Sequence, residues 1–252
     1  MGGGALFVWA HKVNPQCRKV ISDINPGLIS IYTSIRDDEK RFTDCIDSIS
    51  DRYMPLSKPD RKKFYYDVRA KHAFDYSAMD QVTEAAHLYF LMRTCFNGIW
   101  QINQNTNGRF GTPSGLLNQK TSVYSKENVM LWHDALQGCE ILCGDFQHTA
   151  KHIDADSFVY LDPPYRGCFT SYGQPFGDDR QEDVIEFFKM SSQKGAHTLL
   201  SNRDIGDRFF ADRLRGYNIV KLDVTYTAGR RKKNADGTFS AKKASEILVH
   251  SA

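Results

Sequence analysis

The sequence predicts an α/β protein with a doubly wound, mostly parallel sheet and a helical insertion over residues 37–138. Three observations carry this. Short apolar runs alternate with amphipathic helical stretches at both ends of the chain, as a parallel sheet with crossover helices requires. Several of these runs end in an acid, a glycine or a proline, which puts polar turns at the carboxyl ends of strands, where open α/β sheets bind ligands. Between them, residues 37–95 carry helical spacing with no strand-like run.

In chain order, Gly2-Gly3-Gly4 opens a helix-like run through Phe7, Val8 and Trp9, and Lys19–Asp23 reads as a short strand ending in an acid. Asn25-Pro26 starts the next helix with a side-chain cap and a proline at its first position. Leu28, Ile29, Tyr32 and Ile35 give that helix its buried stripe. Helical spacing continues through Phe42, Ile46 and Ile49, then Phe64 and Val68, then Val82 to Cys95. Residues 96–125 are rich in Asn, Gly, Gln, Thr and Ser without a clear period, and a loop of that length in a compact protein is usually functional or disordered. A helix at Ser125–Leu136 leads to a strand at Glu140–Cys143 that ends in Gly144-Asp145-Phe146. The apolar run Phe158–Leu161 follows, then a helix over 179–193, a strand His197–Leu200 ending in Ser201-Asn202, a helix over 204–214 and a strand Asn218–Val224. A basic loop over 228–243 precedes Glu246–His250, which closes the sheet.

Composition excludes several classes. With 252 residues, 41% hydrophobic and 25% charged, the chain can bury a sizeable core and is not a disordered polymer. No apolar stretch reaches membrane-spanning length, and no basic segment followed by an apolar core opens the chain, so an intracellular protein without a membrane partner is expected. The net charge of +3 is mild, so a polyanion would have to be held by local clusters. Six cysteines stand at 17, 45, 95, 139, 143 and 168 without paired CxxC spacing, and no disulfide or zinc site is expected. His148 and His152 have metal-ligand spacing, with Asp154 and Asp156 nearby, but Thr149 stands where a metalloprotease helix carries its acid, so surface histidines are expected instead.

The motif with most chemistry is Asp162-Pro163-Pro164-Tyr165, directly after the Phe158–Leu161 strand. Two prolines stop the ladder and force a rigid exit. An acid, carbonyls beside residues without N–H donors, and an aromatic face are thereby held together, a combination suited to gripping a planar base with an exocyclic amine. A Pro-rich turn with a capping Asp and a packing Tyr is the competing structural reading. Gly2-Gly3-Gly4 followed by Asp23 has the form of a backbone turn that a nucleoside could approach, with an acid for ribose hydroxyls; an ordinary glycine turn is again the alternative. The lack of GxGxxG argues against a dinucleotide.

Taken together, Gly2-Gly3-Gly4, Asp23-Ile24-Asn25, Gly144-Asp145-Phe146, Asp162-Pro163-Pro164-Tyr165 and Ser201-Asn202 resemble the Dam-type adenine-N6 DNA methyltransferases. Phe96-Asn97-Gly98-Ile99 through Asn103, Gly108-x-Phe110 and Pro113-x-Gly115 resemble a further signature of that family, and the motifs follow the family's order across nearly the whole chain. The resemblance implies a Rossmann-like S-adenosylmethionine-dependent fold. Residues 1–36 with 139–252 would be its catalytic domain and 37–138 its helical DNA-recognition insertion. Gly2 and Gly4 would shape the loop around S-adenosyl-L-methionine, Asp23 would bind its ribose, and Asp145 and Phe146 its adenine. Asp162 and the Pro163 carbonyl would accept hydrogen bonds from the target N6 amine while Tyr165 stacks on the flipped base. No covalent intermediate is needed, and no Cys directly follows a Pro as a cytosine-C5 mechanism would require.

Candidate contacts to double-stranded DNA are Asn97, Gln101, Asn103, Arg109, Asn118 and Lys120, since amides read adenine and cations read guanine in the major groove. Arg230, Arg231, Lys232 and Lys233, with Lys242 and Lys243, form the densest basic cluster and suit phosphate contacts, or alternatively a solvated hairpin tip. The resemblance further implies a metal-free monomer in the cytoplasm of a bacterial or phage-infected cell, acting at GATC or a related site within restriction-modification or adenine-methylation chemistry. Two departures stand out: Gln101 replaces an Arg common in the family, and Met1 directly precedes the glycines where the family has a first strand. An N-terminally truncated chain lacking that strand is the expectation, with impaired cofactor binding as its consequence. An RNA adenine-N6 methyltransferase and a catalytically impaired DNA-binding relative are the alternatives.

Overall fold

The computed structural model describes residues 2–115, 122–167, 176–226, 232–233, 239–240 and 242–251. They fall into two compact units, one comprising the described residues up to Phe146 and the other those from Gln147 onward. In the first unit, the helices after residue 37 pack into one core with the helix that precedes them.

The first unit contains α1 (Ala5–Val13), β1 (Val20–Asp23), α2 (Pro26–Asp37), α3 (Glu39–Tyr53), α4 (Lys58–Phe74), α5 (Gln81–Thr94), β2 (Ile102–Asn103), β3 (Arg109–Phe110), α6 (Lys126–Leu136) and β4 (Glu140–Cys143). α2 starts as expected: Asn25 accepts from the N–H groups of Gly27 and Leu28, and Pro26 occupies the first turn. α5 buries Ala85, Ala86, Leu88, Phe90 and Leu91 on more than one side, so it is the central helix against which α2, α3 and α4 pack. Phe90 meets Tyr53 edge-on at 5.1 Å and Phe64 at 6.0 Å between ring centroids. Cutting Phe90 back to Ala in such a site costs roughly 3–5 kcal/mol. β1 and β4 pair in parallel from Val20↔Glu140 to Asp23↔Cys143, which brings the ends of both strands to the same level.

The second unit contains β5 (Phe158–Leu161), α7 (Asp178–Gln193), β6 (His197–Asp204), α8 (Phe209–Arg213), β7 (Asn218–Tyr226), the short strands β8 (Lys232–Lys233) and β9 (Phe239–Ser240), and β10 (Lys242–His250). Its main sheet has the order β5-β6-β10-β7. α7 buries Gln181, Val184, Ile185 and Phe188, spaced i, i+3, i+4, i+7, on the face it turns toward β5 and β6.

Several expectations change. The four-stranded sheet is mixed: β5 runs parallel to β6, but β10 is antiparallel to both β6 and β7. β10 therefore lies inside the sheet and does not close it at an edge. β6 runs on to Asp204 because β10 pairs with it from Ser245↔Asp204 to His250↔Leu199, so Ser201 and Asn202 sit within the strand and not at its end. The helix expected over 204–214 shrinks to Phe209–Arg213. Asp204 accepts from the N–H of Gly206, Asp207 accepts from that of Phe209, and Gly206 has φ 83, so two side-chain-closed turns take the preceding residues. Residues 96–115 are ordered by a hairpin, β2 against β3, with Asn103 opposite Arg109.

Candidate active site

The two parallel pairs, one in each unit, each end in a polar turn. In the first unit, Gly2 and Gly4 have φ 52 and 63, backbone that L side chains rarely adopt. A Cβ at Gly2 or Gly3 would meet nothing within 4 Å, so the outer side of this turn is open to a ligand. Gly4 caps α1, its carbonyl accepting from Val8 at 3.2 Å. Asp23, at the end of β1, holds the turn: Oδ2 accepts from the Gly2 N–H at 3.1 Å and Oδ1 from that of Asn25 at 2.9 Å. A carboxylate offers about four acceptor positions, so one so oriented can also take hydroxyl donors. The Tyr32 hydroxyl donates to the Gly2 carbonyl at 2.5 Å, and burial, then the nearby Asp23 charge, raises its pKa above the usual phenol range. Gly144 donates its N–H to the Asp23 carbonyl at 3.0 Å, which places half-buried Asp145 and Phe146 directly beyond the β1–β4 pair.

In the second unit, Asp162 leaves the end of β5 exposed, while Pro163, Pro164 and Tyr165 are half-buried. Ser201 Oγ donates to Asp162 Oδ1 at 2.8 Å, and the Tyr160 hydroxyl lies 3.0 Å from the same Oγ, so one carboxylate oxygen is oriented from β6. The Pro164 carbonyl accepts from Gln181 Nε2 at 2.8 Å. Among the described residues no donor reaches the Pro163 carbonyl, so it and the Asp162 carboxylate can both accept from a ligand. Burial pushes the Tyr165 phenol up to about 12, its bond to Ser201 opposing and the Asp162 and Glu246 charges adding, so the ring is neutral at physiological pH. Arg166 then locks the exit. It donates to both oxygens of Asp178 at 2.6 and 2.8 Å, bonds Asp207, and stacks at 4.0 Å over the Phe209 ring.

The candidate recognition residues separate into two kinds. Asn97 sits in a left-handed turn (φ 53) and is exposed, and the Gln101 side chain is exposed beside the hairpin. Asn103 accepts from the Asn105 N–H at 2.9 Å, closing the turn between β2 and β3. Arg109 reaches inward to pair with Glu84 of α5. Lys120, Asn118, Arg230 and Arg231 lie outside the described residues. No group of three His, Cys, Asp or Glu among the described residues is placed to hold a metal ion, and Asp154 is occupied in a turn with Ser157 at 2.7 Å. No described helix is long and apolar enough to cross a membrane.

Two contributors escaped sequence reasoning. Tyr32 reads as core from its spacing, which conceals the hydroxyl that holds Gly2. Gln181 carried a signal: it is an amide inside an otherwise apolar stripe, and a buried polar group needs a partner.

Residues 1–228 match the family model described as D12 class N6 adenine-specific DNA methyltransferase. Among similar proteins, the type II methyltransferase M.MjaIII of Methanocaldococcus jannaschii is 33% identical over 99% of this chain and 85% of its own length. The type II methyltransferase M1.LlaDCHI of Lactococcus lactis subsp. cremoris is 28% identical over 99% of this chain and 83% of its own length. A DNA adenine methylase of Vibrio cholerae is 29% identical over 85% of this chain and 77% of its own length.

Proposed function

The chain belongs to the D12 class N6 adenine-specific DNA methyltransferase family, and on that premise we propose that it moves a methyl group from S-adenosyl-L-methionine to the N6 amine of an adenine flipped out of duplex DNA, at GATC or a related site. The observation that carries this reading is the Asp162–Tyr165 turn, with Asp162 oriented by Ser201 and the Pro164 carbonyl already engaged. An aromatic amine is a poor nucleophile because its lone pair is delocalised into the ring. Asp162 and the Pro163 carbonyl, as acceptors, favour a pyramidal nitrogen and stabilise the positive charge growing on it, a preorganised electrostatic effect. Tyr165, a neutral ring beside them, stacks on the base once it has left the duplex.

For the cofactor, the open Gly2-Gly3 turn and the two-point hold on Asp23 support a site in which Gly2 and Gly4 give backbone access, Asp23 takes the ribose hydroxyls, and Asp145 and Phe146 take the adenine. Bound there, S-adenosylmethionine would supply a methyl group activated by a sulfonium sulfur. The parallel pairs β1–β4 and β5–β6, each followed by such a turn, support assignment to a doubly wound Rossmann-like sheet. Residues 37–138 are the DNA-recognition part, through Asn97, Gln101, Asn103 and Lys120; residues 1–36 and 139–252 are the catalytic part, with Arg230 and Arg231 as phosphate contacts.

DNA from cells expressing the protein tests the reading. Resistance to a nuclease blocked by N6-methylation at GATC supports both chemistry and site. Cleavage of DNA that nevertheless contains N6-methyladenine assigns a different site, and absence of N6-methyladenine overturns the function.

A further inference from the structure

We propose that Gln181, acting with Asn202, is a positioning residue for methyl transfer: it fixes the two peptide planes that flank Tyr165 and so decides which carbonyl the target amine meets. The proposal rests on the function proposed above. Pro163 and Pro164 carry no N–H, so the turn cannot secure itself with backbone donors at those positions and has to be held by its carbonyls and by the next donors along. The structure holds it at two points. Gln181 Nε2 donates to the Pro164 carbonyl at 2.8 Å, setting the plane before Tyr165. The Arg166 N–H donates to Asn202 Oδ1 at 2.9 Å, setting the plane after it.

The two amides are joined to each other, Asn202 Nδ2 donating to Gln181 Oε1 at 3.0 Å, and both side chains are fully buried. Helix α7 and strand β6 thus grip the turn through one buried, hydrogen-bonded network, the kind that specifies a single geometry. Amide chemistry is required at Gln181, because the group donates to a carbonyl on one side and accepts from an amide nitrogen on the other. A carboxylate would set an acceptor against the Pro164 carbonyl. By occupying that carbonyl, Gln181 leaves Asp162 and Pro163 as the acceptor pair. By pinning both planes around Tyr165, it also directs that residue's Cα–Cβ bond, and hence the stacking ring.

The test compares wild type, Gln181→Met and Gln181→Glu. The readouts are single-turnover methyl transfer, KM for duplex DNA, S-adenosylmethionine affinity by titration, and melting temperature. Gln181→Met is expected to lower the single-turnover rate roughly tenfold to a hundredfold, the cost of a reacting group displaced by about 1 Å. Cofactor affinity and KM should stay within about threefold. Gln181→Glu, assayed below its melting temperature, should gain rate relative to wild type as pH falls, because the protonated acid regains a donor toward Pro164; if Gln181→Met does not fold, this pH profile decides. A Gln181→Met rate within twofold of wild type, loss of cofactor affinity in step with rate, or a pH-independent rate ratio for Gln181→Glu would each overturn the proposal while an active wild type leaves the function standing. A wild type that binds S-adenosylmethionine but transfers nothing to DNA removes the function and this proposal with it.

Discussion

The Asp162–Tyr165 turn and the hairpin around β2 and β3 are both polar loops proposed to meet the substrate, yet they are stiffened in opposite ways. The turn contributes prolines and carbonyls and is gripped from outside by buried amides of α7 and β6. The hairpin is braced largely by its own polar side chains: Thr112 Oγ1 donates to the Ile99 carbonyl at 2.7 Å and accepts from the Gln101 N–H at 3.1 Å, while Thr106 Oγ1 bonds the carbonyls of Asn103 and Arg109. Gly111 permits this closeness, since a Cβ there would stand 2.4 Å from that of Asn103. Helix α4 adds Tyr65, whose hydroxyl donates to the Thr112 carbonyl at 2.8 Å, and Arg69, which donates to Gly111 at 2.9 Å. The difference teaches that residue type alone does not mark a contact residue. In each loop some groups are consumed by the fold, the Pro164 carbonyl in one and the Arg109 guanidinium and the Asn103 amide oxygen in the other, while Asp162, Asn97 and Gln101 are exposed.

The largest effect belongs to the turn. Asp162→Ala is expected to lower the methyl-transfer rate by ~10²–10³ or more, the scale for removing one preorganised group at a developing charge, with S-adenosylmethionine affinity unchanged by titration. An unchanged rate would end the contrast between an acceptor turn and a binding hairpin. Next is Asp23→Ala, which removes a charged hydrogen-bonding group worth about 1.5–3 kcal/mol and should weaken the cofactor roughly tenfold to a hundredfold, leaving the rate at saturating cofactor nearly intact.

Within the hairpin, Gln101→Ala should cost about 1–3 kcal/mol of discrimination between cognate and altered sites without shifting the melting temperature. Arg109→Met should do the reverse. It strands Glu84, costs on the order of 1–2 kcal/mol, and lowers the melting temperature by ~2–4 °C per kcal/mol. If Arg109→Met erases site discrimination at unchanged stability, Arg109 is a base reader and the division between consumed and outward residues fails.

A pH-dependent effect comes from the packing beneath the hairpin. Burial, with the Arg109 and His87 charges adding, pushes the His72 pKa down to about 3, and Glu84 Oε1 lies 3.9 Å from its Nε2. An unfolded imidazole titrates near ~6.5, so below that pH the unfolded chain binds a proton that the folded one does not. The stability due to neutral His72 is therefore complete above about pH 6.5 and is lost progressively toward pH 3, at up to ~1.4 kcal/mol per pH unit. Denaturant titrations of His72→Leu across that window should show a shallower dependence on pH than wild type; an equal slope would assign the acid sensitivity elsewhere.

Where local rules decide, the sequence was readable. The Asn25-Pro26 start of α2, the run of helices from α3 to α5, and the strand-then-turn form of Glu140–Phe146 and Phe158–Tyr165 all follow from caps, periodicity and breakers. What long-range pairing decides was not. The insertion of β10 between β6 and β7 depends on register across the sheet, and it extends β6 through Ser201 and Asn202. The inward turn of Arg109 depends on Glu84, 25 residues earlier on another helix. The order of the motifs was enough to place the chain in its family, whereas the amide brace behind the turn joins Gln181 to Pro164 and Asn202, 17 and 21 residues away in sequence.

The identity of the product tests the proposed function most directly. Purified protein, duplex DNA and S-adenosylmethionine with an isotopically labelled methyl group, followed by mass spectrometry of the digested nucleosides, should yield labelled N6-methyl-2′-deoxyadenosine, with the signal lost in Asp162→Ala. Label on cytosine, on RNA adenine in preference to DNA, or on DNA adenine to the same extent without Asp162 would contradict it.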